Sequence, residues 1–114
     1  MGSVVGSLSK KSVDMASPTA QFVRNQIQSN RVVIFSKTYC PYCTMAKEQF
    51  KKLNVPMHVI ELESRNDCDE IQDVLGEITG ARSVPRCFVD GKFIGGGTDV
   101  KAMYENGKLE ELIA

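Results

Sequence analysis

The chain has 114 residues, enough for one domain. Its 42% hydrophobic content supports a core, and 14 basic residues balance 14 acidic ones. A neutral balance excludes a general nucleic-acid binder, which carries a basic excess. The longest apolar run, Val32-Val33-Ile34-Phe35, is far below the roughly 18 residues of a membrane span, so no stable membrane insertion is expected.

Residues 1–16 are rich in Ser, Gly and Lys and show no period. They are expected to form a flexible tail, with the folded domain over 17–114. The start lacks the apolar core and small-residue cleavage site of a secretory signal, and it is poor in Arg. A reducing, cytoplasmic setting is therefore expected. Gly2 raises N-myristoylation, but Gly6 stands where that pattern wants Ser or Thr, so acylation is not expected.

Ser17-Pro18 reads as a helix start, with Ser17 as N-cap and Pro18 at the first helical position. Phe22, Val23 and Ile27 give that helix an apolar stripe. Residues 31–36 read as a strand, apolar on both faces, which suits a parallel strand covered on two sides. Residues 38–43 turn into a helix carrying Ala46, Phe50 and Leu53, which Pro56 stops. Residues 57–62 alternate as a second strand, and 67–79 form a helix with Ile71, Val74, Leu75 and Ile78 on one face and Gly80 just past its end.

Residues 84–89 read as a third strand. Asp90-Gly91 is a hairpin signal that returns the chain antiparallel over 92–94. Gly95-Gly96-Gly97 breaks the chain, Thr98 or Asp99 caps a helix to Asn106, and Leu109, Leu112 and Ile113 make a last short helix. The first two strands are joined by a helix, which implies a parallel pair with a right-handed crossover. The predicted class is α/β: a four-stranded mixed sheet flanked by helices.

The chain has four cysteines, unevenly spaced. Cys40 and Cys43 are close, while Cys68 and Cys87 stand alone. A structural zinc site wants two close ligand pairs, and the only His, His58, is remote from any second pair. Two cysteines three apart at a helix start lie within disulfide reach. Unpaired backbone N–H groups there carry partial positive charge and stabilise a thiolate. Lys37 is placed to add a cation. Cys40 is thus expected to be the attacking thiol and Cys43, one turn inside, the resolving one.

A free thiol is about 3% ionised at pH 7. Lowering its pKa by roughly 4 units gains about 30-fold in thiolate and costs about 40- to 100-fold in intrinsic nucleophilicity. Attack alone gains little. The benefit falls on departure, when another thiol attacks a mixed disulfide at that sulfur. Such a thiol suits a cycle in which Cys40 takes a glutathionyl group and a second glutathione removes it.

Cys40-Pro41-Tyr42-Cys43 resembles the active site of dithiol glutaredoxins. Matching stretches continue in order at Val33-Ile34-Phe35-Ser36-Lys37, Glu70-Ile71-Gln72, Gly80-Ala81-Arg82-Ser83-Val84-Pro85-Arg86 and Gly95-Gly96-Gly97-Thr98-Asp99. The resemblance covers roughly residues 20–114 and implies a thioredoxin-like fold. It also implies glutathione-dependent reduction of protein–glutathione mixed disulfides and protein disulfides. A monomer is expected, and no metal cofactor.

Carried onto matching positions, the resemblance gives a glutathione site of Lys37, Cys40, Tyr42, Gln72, Arg82, Val84, Pro85, Thr98 and Asp99, with Ser83 and Gly97 beside them. Lys37, Arg82 and Gln72 would hold the glycine-end carboxylate. The Val84 backbone would pair with the cysteinyl unit like an added strand. The helix start at Thr98-Asp99 would take the other carboxylate, the Asp99 side chain would meet the ammonium, and Pro85 is expected to be cis.

Ser83 replaces the usual Thr, Cys87 replaces an aliphatic residue, and Gly97 stands where a Cys or Ala is frequent, so a side-chain contact is expected to be missing there. Cys87 reads as a small buried hydrophobe, Cys68 as an inert surface thiol, Arg86 as a solvated charge and His58 as structural. Three other readings compete. One is a [2Fe–2S] carrier bridging two chains through Cys40 and two glutathiones, against which the rigid Pro41 argues. The second is a zinc-binding module, and the third a thioredoxin. The absence of Trp and the Pro-Tyr pair between the cysteines disfavour the last.

Overall fold

The computed structural model describes residues 12–114. Its elements are α1 (Pro18–Ser29), β1 (Val32–Ser36), α2 (Pro41–Lys52), β2 (His58–Glu61), α3 (Cys68–Thr79), β3 (Arg86–Val89), β4 (Lys92–Gly95), α4 (Gly97–Glu105) and α5 (Lys108–Ile113). The sheet has four strands in the order β2-β1-β3-β4. β1 pairs parallel with β2 and antiparallel with β3, and β4 closes the edge antiparallel to β3. This is the expected α/β thioredoxin-like arrangement.

Every residue of β1 is buried, as its apolar run requires. Alternate side chains serve opposite layers. Val33 and Phe35 join Val23, Ile71, Leu75 and Phe88 under α1 and α3. Val32 and Ile34 join Ala46, Phe50, Cys87, Val100 and Leu109 under α2, α4 and α5. A run apolar on both faces is stable only between two such layers. The sheet centre is thereby fixed, and the loop after β1 is held at one end of it.

Local signals set most boundaries. Ser17 Oγ accepts the Ala20 N–H at 3.0 Å, and Pro18 takes the first helical position of α1. Gly80 ends α3 at φ 91°, and Asp90 and Gly91 turn the hairpin at φ 50° and 82°. β3 starts at Arg86 rather than residue 84, because Pro85 has no N–H to give a ladder.

Two expectations are corrected. Neither Thr98 nor Asp99 is the cap of α4: Gly96 is, and the Asp99 carboxylate reaches back to accept the Gly96 N–H at 2.9 Å. An acidic side chain at the third helical position serves the same orphan donor from inside. Residues 12–16 are not a free tail. Val13 and Met15 pack on the α1–α3 layer, and Arg24 Nη1 donates to the Met15 carbonyl at 2.7 Å. The rest of the expected tail, and Gly2 with it, lies outside the described residues.

Candidate active site

The site begins with a helix start. Cys40 is the N-cap of α2, in extended conformation, and Pro41 occupies the first turn. The N-cap place is normally taken by a side-chain oxygen. Here the Cys40 Sγ accepts the Cys43 N–H at 3.3 Å. A donor aimed at that sulfur stabilises negative charge there whenever it attacks or departs. Cys40 is partly exposed, whereas Cys43 is fully buried. Burial pushes the Cys43 thiol up to about 11, and its hydrogen bond with Cys40 adds to the rise. The Lys37 N–H donates to the Cys43 Sγ at 3.4 Å and opposes that rise.

The loop between β1 and α2 is pinned from a place that sequence reasoning missed. The Thr38 N–H donates to both carboxylate oxygens of Glu63, at 3.2 and 3.3 Å, and its hydroxyl donates to Glu63 as well. These bonds hold the Glu63 carboxyl below its ordinary range. The signal for Glu63 lay in the register. Parallel strands end at the same side, with Ser36 opposite Glu61. The residue two past β2 therefore lands beside the residue two past β1.

A groove of about 340 Å³ runs beside Cys40, lined by Tyr42, residues 83–86 and residues 96–99. The Cys40 Sγ lies 3.8 Å from the Val84 carbonyl, at the foot of the groove. The Val84–Pro85 peptide is cis, as expected. Tyr42 is 55% exposed and forms one wall. The opposite wall is the start of α4. A Cβ on Gly97 would stand 2.5 Å from the Tyr42 carbonyl oxygen. A side chain at Gly97 would press on the Tyr42 backbone, and its absence lets α4 close against α2.

Sequence-predicted residues thus divide into two groups. Tyr42, Ser83, Val84, Pro85, Gly97, Thr98 and Asp99 line the groove together. Gln72 and Arg82 are not among the residues that line it. Gln72 is 8% exposed, and its Nε2 donates to the Arg82 carbonyl at 2.8 Å, tying the 80–83 loop to α3. The Arg82 guanidinium is shared with Asp73, at 2.8 Å, and Asp69, at 3.7 Å. Lys37 enters the contacts of the site through its backbone N–H. Arg86, read from sequence as a solvated charge, is instead part of the groove wall.

The other two thiols are placed differently. Cys87 is wholly buried in β3, and burial pushes it up to about 12. Cys68 is half-buried, packs on the α1–α3 layer and donates to Gln72 Oε1 at 3.3 Å. It is therefore not the surface thiol expected. His58 pairs with Gln26 Oε1 at 2.6 Å, a structural contact.

Comparison with known proteins bears on this geometry. The family model described as Glutaredoxin matches residues 32–94, which hold both cysteines and most of the groove. Glutaredoxin-C4 of Arabidopsis thaliana is 48% identical over 98 residues, covering 86% of this chain and 73% of that protein. Oxidized glutaredoxin 2 of Chlamydomonas reinhardtii superposes with a TM-score of 0.81 at 48% identity, over 83% of this chain and 90% of the other. A buckwheat glutaredoxin–glutathione complex superposes at 0.79 with 40% identity, over 82% and 86%. With the paired thiols, the cis peptide and the groove in one place, the match leaves a single assignment: this chain belongs to the glutaredoxin family.

Proposed function

We propose that the chain reduces protein–glutathione mixed disulfides with Cys40 as nucleophile, and protein disulfides with Cys40 and Cys43 together. Family membership makes it a glutathione-dependent thiol–disulfide oxidoreductase. The reading adds which sulfur does what, and why. It rests on one observation: Cys40 is reachable and accepts an N–H, whereas Cys43 is fully buried and its thiol is pushed up to about 11.

The Cys40 thiolate attacks the glutathionyl sulfur of a mixed disulfide. A Cys40–glutathione disulfide forms, and the protein thiolate leaves and is protonated by water. A second glutathione thiolate then attacks the glutathionyl sulfur. Oxidised glutathione departs and the Cys40 thiolate is restored. The Cys43 N–H serves the Cys40 sulfur in both steps, as nucleophile in the first and leaving group in the second. With a protein disulfide, Cys40 forms the mixed disulfide first. Cys43 then loses its proton and attacks Cys40, expelling the protein's second thiolate and closing Cys40–Cys43. Two glutathiones reopen it.

Glutathione would lie along the groove with its cysteinyl unit against the Val84 backbone. Its γ-glutamyl end would meet the α4 start at Thr98 and Asp99. The solved buckwheat complex shows that a protein of this fold holds glutathione. The same reading keeps the enzyme monomeric and in the reducing cytoplasm, and sedimentation of the purified protein and fractionation of cells test those two points.

The primary test is a glutathione-coupled reductase assay on a glutathionylated peptide and on a protein disulfide. Cys43→Ser is expected to keep turnover of the peptide within about threefold while losing the second activity. Equal loss of both would assign the roles differently.

A further inference from the structure

We propose that Arg86 is the cation that holds the α-carboxylate of the substrate's γ-glutamyl unit, an inference that rests on the glutathione reading above. Among the described residues the groove wall carries one guanidinium, that of Arg86. Its donors go to neutral acceptors. Nε donates to the Pro85 carbonyl at 3.1 Å, Nη1 to Thr79 Oγ1 at 3.4 Å and Nη2 to Ser83 Oγ at 3.3 Å. The guanidinium lies over the Phe93 ring at 5.0 Å. These contacts fix its plane and leave its charge uncompensated, since no carboxylate lies within ion-pair distance of it among the described residues.

Arg82 differs. Its charge is already met by Asp73 and Asp69. An anionic ligand at Arg82 competes with two carboxylates, whereas one at Arg86 competes with none. A rigid guanidinium with spare donors suits a planar carboxylate.

Position selects which carboxylate. A Cβ at Gly96 would stand 3.4 Å from Arg86 Nη2, so the guanidinium borders the N-cap of α4. That is the γ-glutamyl end of the groove, and Gly96 leaves open the space between the cation and the helix start. The Asp99 carboxylate, spent on the Gly96 N–H, remains near for the ammonium of the same unit. Arg86, the α4 start and Asp99 together form a receptor for an α-amino acid head group. The predicted consequence is that the Arg86 contribution to binding is confined to the α-carboxylate.

The test compares three mixed disulfides of one peptide: with glutathione, with 4-aminobutyryl-cysteinylglycine, which lacks only the α-carboxylate, and with cysteine. For the wild type, KM is expected to be lowest with glutathione. Arg86→Gln is expected to raise KM for the glutathione disulfide about 10-fold and leave kcat within about twofold. The same variant should leave KM for the decarboxy analogue unchanged, and Arg86→Lys should recover part of the loss. An equal rise on both substrates would mean that Arg86 only shapes the groove, and no rise on either would remove it from binding. Both results overturn the proposal. A wild type that does not prefer the glutathione disulfide over the cysteine one would instead overturn the glutathione reading itself.

Discussion

Two helices of this protein begin at a cysteine, and only one of them makes a site. Cys40 caps α2, and Cys68 is the first residue of α3. Both sulfurs sit where the helix dipole favours an anion. At α2 the sulfur is itself the acceptor of a helix N–H, the second thiol is buried one turn on, and the start of α4 stands opposite across a groove. At α3 the Cys68 thiol is a donor, turned down its own helix to Gln72, and the neighbouring Asp67 is tied to Arg65 at 2.8 Å. A helix N-terminus supplies electrostatics. Reactivity also needs an open face and a shaped partner surface, and tertiary packing gave those to one cysteine alone.

The sharpest break of that contrast is chemical. Cys40→Ser should lower turnover of a glutathionylated peptide by about 1,000-fold or more, because no other thiol reaches the groove. Cys68→Ser should leave it within about twofold. A large loss from the Cys68 variant, measured in the same coupled assay, would show that the two helix starts act together.

Next in size is the wall opposite Cys40. Gly97→Ala places a Cβ where the Tyr42 carbonyl oxygen stands, so α4 must withdraw from α2. Overpacking of this kind should lower stability by about 1–3 kcal/mol, read from the urea midpoint. It should also raise KM for the glutathionylated peptide. A variant as stable as the wild type would mean that the two helix starts are not held in contact.

The two buried thiols provide a pH signature of their own. Cys43 and Cys87 rise from 9.0 to about 11 and about 12, with burial the first cause in each. Folding therefore favours their neutral forms. Their contribution is complete below 9.0, where the unfolded thiols are also protonated, and is lost as pH climbs toward those folded values. The denaturation midpoint should fall between pH 9 and 11, and Cys87→Val should fall less steeply. An identical slope in the variant would show that Cys87 ionises freely in the folded protein.

The smallest expected effect lies in the loop that aims Cys40. Glu63→Gln keeps the shape but weakens acceptance from Thr38, and turnover should drop by about threefold. The acid side carries the sign. Glu63 is held below its ordinary range, so its stabilisation is present above the unfolded carboxylate value and is lost as pH falls through the folded one. The variant's denaturation midpoint should be flatter over that window, and modestly so, because the group is exposed. An unchanged turnover would show that the α2 start is aimed by the helix alone.

The sequence by itself determined the element order, the hairpin at Asp90-Gly91 and the pairing of Cys40 with Cys43. These rest on local rules: apolar period, turn residues and spacing along one helical turn. It also marked most of the groove lining, through the resemblance of its motifs. Tertiary structure alone decided which charges are spent. Arg82 and Arg86 look alike in a chain of letters, yet one lies between Asp73 and Asp69 while the other lies on neutral acceptors at the groove. Glu63 became a pin for Thr38 because parallel pairing brings two distant loops to one end of the sheet. Gly97 became a close-contact position because two helix starts meet there. Local conformation depends on a few neighbouring residues. Electrostatic pairing and close approach depend on which remote groups share a few ångströms, and only packing settles that.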